Sequence, residues 1–318
     1  MVRTASDRIA AGWIDVHHHI APPSYRRECG DKLGIALQNW QLSKAIDDMD
    51  RCGVATAVVT TTHLNGRIDE PERRRAAVRS ANEFAATIAT DHPGRFGVFL
   101  SLPLPDIEGS LKEIEYGMNA LHADGIGLYT SYHDKWLGDA HFAPLFEELD
   151  RRRTVCFVHP TTIDCCHDLM PELGDPAIEY GTDTTRAIAR MVFSGSSQRY
   201  PGMRLIWSHG GGTMPFLIER FTRLAGMERF SKRLPQGFLP EAHRFYYETA
   251  FVSNRVALTA TRMVVPADHL FFGSDFPYRS VTQHATALSE TGLIDPAGLR
   301  AVGRDNVLRL LPQFARAG

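Results

Sequence analysis

Eight times along this chain a short β-rich run gives way to a longer amphipathic or helix-like segment, and few architectures accommodate that rhythm. The apolar runs fall near 12–17, 57–60, 96–100, 125–129, 155–159, 205–209, 245–249 and 270–275. Between them, helical spacing carries Ile46, Met49 and Cys52 to a stop at Gly53, and Ala77, Val78, Ala81, Phe84, Ala85 and Ile88 to a stop at His92-Pro93-Gly94. Further helices are predicted over 107–122, 142–152, 176–199, 216–225 and 296–311. A doubly wound sheet would use five or six strands and a glycine-rich turn after the first, and no such turn follows residue 17. The alternation therefore predicts an α/β chain closed into a (β/α)8 TIM-type barrel. No repeat or low-complexity linker divides it, so 1–318 reads as one domain. Three connections are long: 20–45, 160–176 and 226–244. The last is rich in Arg, Lys, Phe and Pro and reads as a subunit contact or a lid.

Composition removes several classes of function. Thirty-five basic residues stand against 37 acidic ones, a net charge of −2, so no basic field marks nucleic acid or an anionic membrane as a partner. No apolar stretch reaches membrane-spanning length, and residues 1–10 lack the apolar core of a secretory signal. The five cysteines (Cys29, Cys52, Cys156, Cys165 and Cys166) are odd in number and form no spaced framework, which points to a reduced, cytoplasmic setting. Adjacent cysteines chelate one ion poorly, so Cys165-Cys166-His167 reads as a loop with free thiols.

Chemistry concentrates where the runs end. The first run closes in His17-His18-His19. Alternate side chains of a strand share a face, so His17 and His19 point one way and His18 the other, giving half of a metal site. His159 closes the fifth run, His209 the sixth and Asp275 the eighth. In a parallel barrel all strands end at one mouth, where βα loops build the site. One strand-end histidine is usually a hydrogen-bonded structural residue; four with an aspartate, all at equivalent positions, are harder to assign to packing. His63 ends the second run and is a weaker candidate. Arg26, Arg27 and Lys32 are weaker candidates for meeting an anion, and Phe276 and Tyr278 for walling an aromatic ring. Gly210-Gly211-Gly212 would permit close backbone approach to a substrate. Without a Lys-Ser/Thr ending it is no phosphate loop.

The motifs Ile14-Asp15-Val16-His17-His18-His19, Phe157-Val158-His159-Pro160, Ser208-His209-Gly210-Gly211-Gly212-Thr213 and Phe272-Gly273-Ser274-Asp275-Phe276-Pro277 resemble the landmarks of the amidohydrolase superfamily. The resemblance is strongest to its metal-dependent decarboxylases, which act on aminocarboxymuconate semialdehyde, γ-resorcylate, 5-carboxyvanillate and 6-methylsalicylate. It implies that His17, His19, His159 and Asp275 ligate one divalent ion, and that His209 is an acid/base group beside it. No lysine closes the fourth strand to bridge a second ion; Thr130 and Ser131 stand there. Three imidazoles and a carboxylate suit Zn²⁺, and Mn²⁺ would accept the set with added oxygens. The implied activity is non-oxidative decarboxylation of a hydroxylated aromatic acid, salicylate-like or 6-methylsalicylate-like, with Asp275 delivering a proton that His209 orients or replenishes. The same residues would serve hydrolysis of a lactone, an amide or a carbon–carbon bond, with His209 as base. The resemblance also implies a homodimer or homotetramer and no organic cofactor.

Overall fold

The computed structural model describes residues 12–62 and 68–316. His63, the weaker candidate of the second strand end, lies outside the described residues. Eight parallel strands stand in sequence order around the molecule: β1 (Trp13–His19), β2 (Val54–Thr60), β3 (Phe96–Leu100), β4 (Gly125–Tyr129), β5 (Val155–His159), β6 (Arg204–Trp207), β7 (Tyr246–Glu248) and β8 (Leu270–Phe271). The row closes on itself, because Val16 donates to the carbonyl of Phe272 at 3.0 Å and Asp275 to that of His17 at 2.9 Å. After each strand comes one principal helix: α1 (Leu42–Cys52), α2 (Pro71–Asp91), α3 (Ile107–Asn119), α4 (Ala143–Arg151), α5 (Asp175–Phe193), α6 (Met214–Ala225), α7 (Arg255–Val264) and α8 (Val281–Glu290). The chain is thus a (β/α)8 barrel, as its alternation requires.

Local chemistry sets the boundaries. Helix α2 begins at Pro71, behind a Glu70 carboxylate that accepts from the Glu72 and Arg73 amides. Helix α1 stops at Gly53, whose left-handed φ of 74° only glycine adopts cheaply. Two cores result. Inside the barrel, Ile14, Val16, Val58, Phe99, Val155, Phe157, Ile206 and Phe271 meet the C-terminal Val307, Leu310, Leu311 and Phe314, which plug the end away from the strand termini. Between sheet and helices lies the larger cluster, which includes Trp13, Val59, Leu128, Cys156 and Trp207.

The structure departs from the sequence reading in four segments. Connection 20–45 holds helices Pro23–Cys29 and Ile35–Gln38. The helix read over 176–199 breaks at Gly195, after Phe193. The last one runs through a π turn at Ala301–Asp305. Segment 226–244, read as a connection, forms two short helices whose Phe230 and Phe238 pack on Phe193 of α5.

Candidate metal centre

Regular alternation along β1 would defeat the histidines. Ile14 and Val16 face the barrel interior, so strict period two would aim His17 and His19 outward, into the helix layer. The register corrects this: Asp15 pairs with Ala57 and His18 with Val59, so β1 spends one more residue than β2 over that interval. Such an irregularity re-aims the side chains beyond it. Asp15 pins it. Its Oδ1 accepts from the amides of His17 (3.1 Å) and Ser274 (2.9 Å), and its Oδ2 from the Ser274 hydroxyl (2.6 Å). His18 points the other way, with Nδ1 3.0 Å from Asp15 Oδ2 and its ring stacked on Phe276 at 4.6 Å. His18 and Phe276 are therefore structural partners.

His17, His19, His159 and Asp275 converge, each offering one ligand atom, all within 4.8 Å of one another. The two Nε2 atoms of His17 and His19 lie 2.9 Å apart. Asp275 Oδ1 is 3.0 Å from the first, 2.9 Å from the second and 4.0 Å from His159 Nε2. These spacings approach the ~3.4 Å edge of a tetrahedron with bonds of about 2.1 Å. The far side of each ring fixes its tautomer. His159 Nδ1 sits 2.7 Å from the Pro160 carbonyl, and His17 Nδ1 2.9 Å from Glu248 Oε1. Both Nδ1 atoms then carry the proton, and two basic Nε2 atoms face a carboxylate oxygen, a set that closes around a cation. The same carboxylates set the charge of the cluster. Burial disfavours charge on His17, yet Asp275 and Glu248 overcome it and raise the imidazole to about 10. Burial drives His19 down to about 4, against its hydrogen bond to Asp275. Burial also opposes the Asp275 carboxylate, but His17, His19 and His209 outweigh it and hold the group well below the usual carboxylate range.

His209 follows β6, with Nε2 3.4 Å from Asp275 Oδ2, on the other oxygen from the His17 and His19 nitrogens. It is near the metal-competent four without being one of them, though His17, His209 and Glu248 form a second convergent trio. Glu248 is the residue that the sequence reading missed. Fully buried at the end of β7, it accepts from the His209 amide at 2.6 Å and from the Ala250 amide at 2.5 Å while holding His17. Its signal was legible: a carboxylate closing an apolar run, like Asp275.

The lesser candidates separate. Thr130 and Ser131 donate to Asp183 at 2.5 and 2.9 Å, which accounts for both hydroxyls. The glycine triplet is packed closely against the protein: a Cβ on Gly212 would strike the Gly181 carbonyl of α5. Lys32 lines a cavity of about 780 Å³ with Tyr129, Thr161 and Thr162, beside His159. Arg26 and Arg27 lie on the helix Pro23–Cys29, half-buried and exposed. Tyr278 is exposed, its ring 6.0 Å from that of His19. Cys52, Cys156, Cys165 and Cys166 carry free thiols. Among the described residues no helix is long and apolar enough to cross a membrane.

Comparison with known proteins gives the same picture at the level of kinship. A family model described as amidohydrolase matches residues 14–313. A decarboxylase of Aspergillus niger, yanB, is 34% identical over 322 residues, covering 95% of this chain and 88% of its own. A 6-methylsalicylic acid decarboxylase of Penicillium expansum is 38% identical over 273 residues, 83% of this chain and 84% of its own. Among solved structures, a dihydroxybenzoic acid decarboxylase of Polaromonas, with bound manganese and the inhibitor 2-nitroresorcinol, superposes with a TM-score of 0.84 at 20% identity, covering 96% of this chain and all of that one.

Proposed function

The chain belongs to the amidohydrolase family, and from that premise we propose that it is a carboxy-lyase, a metal-dependent, non-oxidative decarboxylase of a hydroxylated aromatic carboxylic acid, with 6-methylsalicylate the preferred candidate. The observation that carries the reaction class is the likeness, over most of the chain, to relatives named decarboxylases. The convergence of the four ligand atoms supports the metal.

In this reading His17, His19, His159 and Asp275 hold one divalent ion. When bound, it supplies Lewis-acid charge stabilisation and a fixed seat for an anionic substrate oxygen. The donor set suits Zn²⁺; Mn²⁺, present in the Polaromonas relative, is the other candidate. The protein's own contribution is a proton and its placement. Expelling CO₂ first would leave an aryl carbanion, so the ring carbon bearing the carboxylate takes a proton before its carbon–carbon bond breaks. The electrons of that bond return to the ring, and the products are CO₂ and the phenol, 3-methylphenol from 6-methylsalicylate. Asp275 is held in its charged form, so a proton it delivers must reach it during the cycle. His209, 3.4 Å from its Oδ2, is the group placed to bring one. Glu248 keeps His17 and the backbone of His209 in mutual register.

The proposal extends to a single barrel domain, a reduced, cytoplasmic setting and a homodimer or homotetramer. The free thiols and the exposed Ile35, Leu169, Met170 and Leu173 support the last two. The test is elemental analysis of the purified protein, then assay of 6-methylsalicylate for CO₂ and 3-methylphenol, with and without chelator. The expected result is one equivalent of metal and turnover that chelation removes and metal restores. CO₂ release that survives metal stripping overturns the mechanism. Incorporation of oxygen from labelled water without CO₂ release overturns the reaction class.

A further inference from the structure

Phe251 joins an exposed aromatic ring to a strained backbone. The residue is 52% exposed. Its backbone lies in the left-handed region, φ 58°, which a bulky residue adopts only at a cost in strain. The surroundings enforce that conformation. The Ala250 amide is tied to Glu248, and Val252 donates to the Thr249 carbonyl at 3.1 Å. Val252 and Ser253 are buried on one side while Phe251 is turned out on the other. Its ring does not stand in empty solvent. It meets His209 edge-on, with centroids 5.5 Å apart and planes at 83°. The same Glu248 carboxylate that holds His17 and His209 therefore also sets the loop that presents this ring.

We infer that Phe251 is a positioning residue: an apolar wall against which the aromatic ring of the substrate seats while it takes its proton from the His209–Asp275 pair. The inference rests on the decarboxylase reading for the identity of that ring. Because Phe251 meets the His209 ring, a benzene ring brought to His209 Nε2 would come within its reach, where offset or edge-to-face contact favours a flat π system over a saturated one of equal size. The ligand class is a planar aryl carboxylate, and the exposed ring is the part of the site that discriminates for planarity.

Phe251→Gly separates this role from a structural one, because glycine adopts φ 58° freely and removes an exposed apolar surface. In the metal-loaded enzyme we expect an unchanged or raised Tm and unchanged metal content. The dissociation constant and KM for 6-methylsalicylate should rise about tenfold, with kcat falling much less. Phe251→Leu, which keeps bulk but not the ring, should narrow the preference for salicylate over cyclohexanecarboxylate in equilibrium binding. An unchanged kcat/KM in Phe251→Gly overturns the inference. So does a fall in Tm that accompanies the loss of binding, since the ring would then be holding its loop. Dissociation of an oligomer on substitution, read by light scattering, overturns it too and assigns the ring to a subunit contact. If the wild-type protein binds salicylate but does not decarboxylate 6-methylsalicylate, the reaction class fails while the binding comparison still decides the role of Phe251. Wild-type protein that binds no aryl carboxylate overturns both.

Discussion

Single atoms decide most of what this site does, and Glu248 shows how. One buried carboxylate fixes the tautomer of His17, anchors the amide of His209 and shapes the turn at Ala250. Glu248→Gln keeps the size but lowers basicity and offers an amide NH₂ where an acceptor is needed. Loss of such an outer partner typically costs 10–100-fold in metal affinity or activity. We expect kcat and metal occupancy to fall together by about that factor, with the far-UV circular dichroism unchanged. His284 makes a different single-residue case. Fully buried in α8, it has Nδ1 3.0 Å from the Ser253 hydroxyl and 3.1 Å from an Arg279 guanidinium nitrogen. Burial first, and then Arg279, push its pKa down to about 4. The unfolded chain binds this proton near pH 6.5 and the folded one only near 4. The stability from keeping His284 neutral is therefore whole above about pH 6.5 and is lost as the pH falls toward 4, an effect of roughly 3 kcal/mol. Thermal melts at pH 7, 6 and 5 should show this slope in the wild type and a shallower one in His284→Gln. Equal slopes would sink the assignment.

At the scale of the elements, the loops after the strands carry the chemistry, and backbone geometry aims it. Asp275 and His209 both occupy left-handed conformations, with φ 63° and 53°. The loop after β6 can turn as it does because Gly212, φ 67°, comes so close to α5 that any Cβ would strike the Gly181 carbonyl. Gly212→Ala should therefore displace the His209 loop. We expect a Tm drop of several degrees and at least a tenfold loss of kcat/KM; intact activity with wild-type Tm would show that the contact is dispensable. These elements also mark how far the sequence could be read. Strand ends and helix stops were legible because polarity and glycine change abruptly there, as at His159 and Gly53. The pairing of His17 with His19 was legible from period two. The extra residue between Asp15 and His18 that turns them inward was not, since it depends on pairing with β2 and on Ser274 far along the chain. Glu248 closes an apolar run as Asp275 does, but its role was not legible, because its partners on β1 and in the β6 loop are brought to it only by closure of the barrel; only the Ala250 amide is local. The close approach of Gly212 to α5 was not legible for the same reason.

Across the whole molecule the two ends of the barrel do different work. The strand termini at one end gather the metal-competent cluster. At the other end the C-terminal Val307, Leu310, Leu311 and Phe314 fill the barrel interior against Ile14, Val58 and Phe99. Conservation of labour of this kind, with catalysis at the C-terminal face and stability at the other, is the rule for such barrels. It has a direct consequence for Phe314→Ala. The ring is largely buried and packs against Gly97 at the start of β3, so its removal leaves a cavity and should cost about 3 kcal/mol. In a chain of this length that is a Tm drop of several degrees. Yet the site is built by the opposite strand ends and by loops that Phe314 does not touch. Below the lowered Tm, kcat, KM and metal content should match the wild type. The comparison with Glu248→Gln is then a double dissociation: one variant loses stability and keeps chemistry, the other keeps its fold and loses chemistry. If Phe314→Ala instead lost metal in proportion to its stability, the barrel would be transmitting strain from end to end, and the separation of roles argued from its two cores would be wrong.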